Sequence, residues 1–127
     1  MTAYDAMYEQ LLEMNRAAFE AGGYEVAFHT LSSAIHCARY LSDEQRLANA
    51  ERIATKQGEW IDAHAPTHTI SSRSAAARGN QGVFANLALQ THSSQLILRQ
   101  DELKERISDL LDRNPDPEQP SSSITDP

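Results

Sequence analysis

Residues 22–40 read G-G-Y-E-V-A-F-H-T-L-S-S-A-I-H-C-A-R-Y, and the spacing of their apolar side chains decides the fold. Tyr24, Ala27, Phe28, Leu31, Ala34, Ile35 and Ala38 fall three and four apart, so they form one unbroken arc on a helix of about 24–40, with Glu25, His29, Ser32 and His36 opposite. Cys37 flanks that arc beside Val26 and Thr30, which predicts a packed thiol rather than a nucleophile.

Working outward toward the amino end, Tyr4, Met7, Tyr8, Leu11, Met14, Ala18 and Phe19 recur at the same steps and predict a helix over about 2–21 that buries them. Asp5, Glu9, Glu13, Arg16 and Glu20 would face water. Asn15 falls inside the apolar stripe, where an amide needs hydrogen-bond partners, expected from a neighbouring helix or loop. Gly22 stops this helix, since the residue past the last turn often takes positive φ. With only Gly22 and Gly23 between them the two helices must fold back, and Ala27 and Ala34 let the backbones approach.

Toward the carboxyl end, S-D-E-Q at 42–45 reads as a capping box led by Ser42, opening a third helix to about residue 63. Leu47, Ala50, Ile53, Ala54, Trp60 and Ile61 form its expected buried face, and Pro66 keeps it from running far. A short helix fits 72–78 before the turn G-N-Q-G at 79–82, which reads as a helix stop and restart rather than an anion site, since it lacks the lysine and strand of a phosphate loop. From Val83 to about Asp112 the pattern allows one long helix or two broken near Ser93 and Ser94. The fold class is therefore all-α: an antiparallel bundle of four or five helices within one domain, 1–113.

The stretch 114–127, N-P-D-P-E-Q-P-S-S-S-I-T-D-P, has too little apolar surface to offset its ordering entropy and reads as a disordered tail. A formal net charge of -7 disfavours nucleic acid and anionic membranes as partners. Basic residues from Arg73 to Arg113 alternate with Asp101, Glu102, Glu105 and Asp109, as on a solvated helix face. One cysteine allows no internal disulfide, and no basic-apolar leader or membrane span is visible, so a cytoplasmic location is expected.

The run at 22–35, together with Leu11, Met14, Ala18 and Gly22, resembles one tetratricopeptide repeat over about residues 8–41. Gly23 stands where that family usually has aspartate, no proline closes the repeat near Arg39, and Asn15 takes the small-residue position. The resemblance implies a protein-binding or adaptor module whose partner, a protein or peptide, meets the first helix at Glu9, Leu12, Arg16, Phe19 and Glu20. It also implies that later helices cap the hairpin, because one repeat cannot bury both its faces.

Of the five histidines, His29, His36, His64, His68 and His92, the competing reading builds a small metal-binding protein or enzyme on those of the second helix and the His64 to His68 loop. Spacing speaks against it: His29 and His36 are about 10.5 Å apart along a helix, and Pro66 separates His64 from His68 despite Asp62 nearby. No catalytic residue, metal ligand or cofactor site is assigned. A third reading is a structural homo-oligomer. Leu89, Leu96, Leu103 and Leu110 repeat every seven residues and, with Ile107, form a stripe distinct from Val83, Leu87 and Leu98, which fits a homodimer contact. The polar Asn86, Ser93 and Gln100 at intervening positions weaken that pairing, and packing within the monomer is the alternative.

Overall fold

The computed structural model describes residues 2–113, and the stretch read as a tail at 114–127 lies outside them. All regular structure among the described residues is helical: α1 (Ala3–Glu20), α2 (Tyr24–Tyr40), α3 (Glu44–His64), α4 (Ser72–Ala77) and α5 (Val83–Arg113). The all-α expectation is met. The chain divides into two compact units, one running to Leu96 and one starting at Ile97.

Local chemistry sets the helix limits. Thr2 caps α1: its hydroxyl accepts from Asp5 N–H while the Asp5 carboxylate accepts from the Thr2 amide at 2.7 Å, so two otherwise orphaned donors are satisfied. The α1 end closes with Gly23 N–H on Ala18 C=O and Gly22 N–H on Phe19 C=O, with Gly22 at φ 82°. The same pair of bonds ends α2, from Asp43 to Ala38 and from Ser42 to Arg39, but here Ser42 takes the left-handed conformation at φ 51°. This corrects the capping-box reading. Ser42 is spent on the turn, and Asp43 caps α3 by accepting from Arg46 N–H at 3.0 Å. Gly79, at φ 79°, closes α4 in the same way before α5 begins.

The core of the first unit lies among α1, α2, α3 and α5. Ala27, Leu31, Ala34, Ala38, Leu47, Ala50 and Ala54 have no exposed surface at all. The many alanines let helices approach closely, and Gly58 of α3 abuts Phe84 of α5, which meets Phe28 edge-on at 5.7 Å. Cys37 is buried, as its spacing predicted.

The face of α1 meets the periodic reading only in part. Tyr8 and Asn15 are buried as expected, whereas Tyr4, Met7 and Met14 are 37%, 44% and 54% exposed. The cause is that α1 packs on two neighbours at once, α2 through the hairpin and α3 through polar links. Tyr8 donates to Arg46 C=O at 2.9 Å, and the Asp5–Arg46 ion pair lies beside it. The buried arc therefore centres between those neighbours and not on the most apolar stripe. Trp60, expected inside α3, is 41% exposed.

α5 is continuous through Ser93 and Ser94. Their hydroxyls do not break it, because Ser94 Oγ donates to Gln90 C=O within the helix and accepts from Arg39 Nε at 3.0 Å.

Candidate functional site

α1 and α3 flank a surface groove of about 420 Å³ lined by Glu9, Leu12, Glu13, Asn15, Arg16, Ile53, Lys56 and Gln57. Helical steps bring these residues together: Glu9, Leu12, Glu13 and Arg16 follow one another along a single side of α1, and Ile53, Lys56 and Gln57 do so on α3. At its base Asn15 and Gln57 form a reciprocal amide pair. Asn15 Nδ2 donates to Gln57 Oε1 at 3.0 Å, and Gln57 Nε2 donates to Asn15 Oδ1 at 2.7 Å. Asn15 Nδ2 also donates to Ala27 C=O at 2.7 Å, which completes its donors and gives the buried amide the structural role expected of it. The pair uses one hydrogen and one lone pair of Gln57; the second of each can serve a group entering the groove.

Charge around the groove is partly committed. Arg16 pairs with Glu13 and Glu20, and the Arg16 hydrogen bonds hold the Glu13 carboxyl below its ordinary range. Lys56 adds a cation on the α3 side. Of the five residues expected to face a partner, Glu9, Leu12 and Arg16 line this groove together. Glu20 is exposed and held by Arg16. Phe19 instead joins Tyr24 and Trp60, with ring centroids 5.3 and 5.4 Å away. Those three rings are in mutual contact, so they leave no gap between them for a ligand cation. The α3 residues Ile53, Lys56 and Gln57 were missed because nothing in the local pattern says which side of a later helix faces α1.

The histidines are dispersed. His64 stacks on Trp60 and its Nδ1 contacts Trp60 C=O at 3.0 Å; His68 Nδ1 accepts from Ile70 N–H at 3.1 Å. Asp62 accepts from Ser72 N–H, and His92 approaches Glu51 at 3.3 Å. His29 lines a hollow of about 400 Å³ beside Glu25, Phe28 and Arg78, whose guanidinium donates to Thr69 C=O. Among the described residues no group of three or more His, Cys, Asp or Glu is placed to hold a metal ion. Nor is any helix among them long and apolar enough to cross a membrane.

In the first unit Leu89 and Leu96 of the heptad stripe are exposed, and in the second so are Leu103, Ile107 and Leu110. By contrast Phe84, Leu87, Thr91 and Gln95 are the buried positions of α5. Comparison of the chain with protein-family models, curated proteins and solved structures finds no match.

Proposed function

We propose that this chain is a protein-binding adaptor module that receives a peptide segment of its partner in the groove between α1 and α3. The observation that carries the reading is the groove itself: Leu12 and Ile53 offer an apolar seat beside Gln57, whose amide has one donor and one acceptor to give. Such an amide matches the N–H and C=O of a peptide main chain, while Glu9 and Lys56 supply opposite charges for side chains on either hand. The tetratricopeptide-like hairpin supports the same reading, because a repeat of that kind presents its first helix to a groove.

The test is selection of peptides from a display library against the full chain, followed by binding to Leu12→Asp and Lys56→Glu variants of unchanged helical content. The selected peptides should lose at least about tenfold in affinity on Leu12→Asp. Peptides that bind both variants as tightly as the wild type would place the site elsewhere.

A further inference from the structure

The second unit exposes an amphipathic helix with a particular charge order. Ile97, Leu103, Ile107, Leu110 and Leu111 are exposed, as is every residue from 99 to 113. With Leu103 and Leu110 at heptad position d and Gln100 and Ile107 at a, the e and g positions are Ile97, Lys104 and Leu111, and Arg99, Arg106 and Arg113. All four cations of residues 97–113 thus border the apolar stripe. All five carboxylates, on Asp101, Glu102, Glu105, Asp109 and Asp112, fall at b, c and f, away from it.

We infer that residues 97–113 dock an acidic amphipathic helix of another protein, one that lays an apolar stripe on Leu103, Ile107 and Leu110 and sets Asp or Glu against Lys104, Arg106 and Arg113. The e and g residues choose partner and orientation in two-stranded helical pairing. A second copy is the wrong occupant by the same rule: parallel self-pairing sets Arg99 against Lys104, and antiparallel pairing sets g against g, arginine against arginine. The chain's net charge of -7 repels an acidic partner at long range, so any preference for one must come from this local basic rim. The inference stands apart from the α1–α3 groove, which shares none of these residues.

The probes are two three-heptad synthetic peptides with identical Leu and Ile cores, one carrying Glu and the other Lys at every e and g position. Fluorescence anisotropy with the full chain at about 0.15 M salt should show the Glu peptide binding at least tenfold tighter. Lys104→Glu, Arg106→Glu and Arg113→Glu combined should reverse that preference. Leu103→Asp with Leu110→Asp should abolish binding, and since both leucines are exposed the first unit's melting should not change. Equal binding, preference for the Lys peptide, or no binding overturns the inference. So does light scattering that finds a dimer of the wild-type chain which Leu103→Asp dissociates, because a second copy then owns the face.

Discussion

Ser42 holds φ at 51°, a conformation in which an L side chain crowds its own backbone and glycine does not. Ser42→Gly should therefore raise stability by up to about 1 kcal/mol in urea unfolding, even though glycine also loosens the unfolded chain. A loss of stability would mean that the serine side chain contributes something the turn needs. Asn15 and Gln57 are bound to one another in a different sense. Asn15→Leu alone strands the Gln57 amide and should cost about 1–3 kcal/mol, whereas adding Gln57→Leu removes the stranded group and should recover part of that loss. Asp5 supplies a pH signature. Hydrogen bonds from the Thr2 amide and hydroxyl, and then Arg46, hold its carboxyl at about 2 instead of 3.8. Because the folded value is the lower, its contribution is complete above the unfolded value and fades as pH falls toward 2. Asp5→Asn should flatten the acid limb of a stability-versus-pH curve in that window. An acid limb identical to wild type would show that Asp5 is not coupled to folding.

At the scale of elements, local patterns located the helical segments and left open only whether the last is one helix or two, because amphipathic spacing, glycine stops and Pro66 act within a few residues of where they stand. They located faces less well. On α1 the expected Tyr8 and Asn15 are buried, but Met7 and Met14, expected beside them, are not, a result of α3 bonding to α1 across more than thirty residues of sequence. The capping box at Thr2 to Asp5 was legible as T-A-Y-D and passed over; the one assigned to Ser42 was a residue early. Gly58 was not legible at all, since a glycine inside a helical pattern looks only like a weak point. In the folded chain a Cβ added there would lie 2.9 Å from Phe84 Cβ, closer than two carbons tolerate. Alanine is the better helix former by about 1 kcal/mol, yet Gly58→Ala should destabilise by about 1–3 kcal/mol because α3 and α5 must move apart. Thermal melting decides the sign, and a higher midpoint would show that the contact yields at little cost.

On the scale of the whole molecule, the candidate groove was half legible: the α1 residues Glu9, Leu12 and Arg16 follow from the hairpin, while Ile53, Lys56 and Gln57 depend on how a third helix docks. The heptad leucines were visible by spacing, but only tertiary structure tells an exposed stripe from a core one. It leaves them outside. That division has a thermodynamic consequence. Stability comes from surface removed from water, and residues 99–113 remove little, all of them being exposed. A chain ending at Leu98 should therefore unfold in urea within about 1 kcal/mol of the full chain. Its m-value, which scales with the surface uncovered on unfolding, should be nearly unchanged although roughly a sixth of the helical residues is gone. Binding of the Glu-bordered peptide should vanish in the same truncated chain, while peptides selected for the α1–α3 groove should still bind. A clear fall in m would show instead that the last turns of α5 are buried in solution, whether against the first unit or another chain, and the free face assigned to them would not exist.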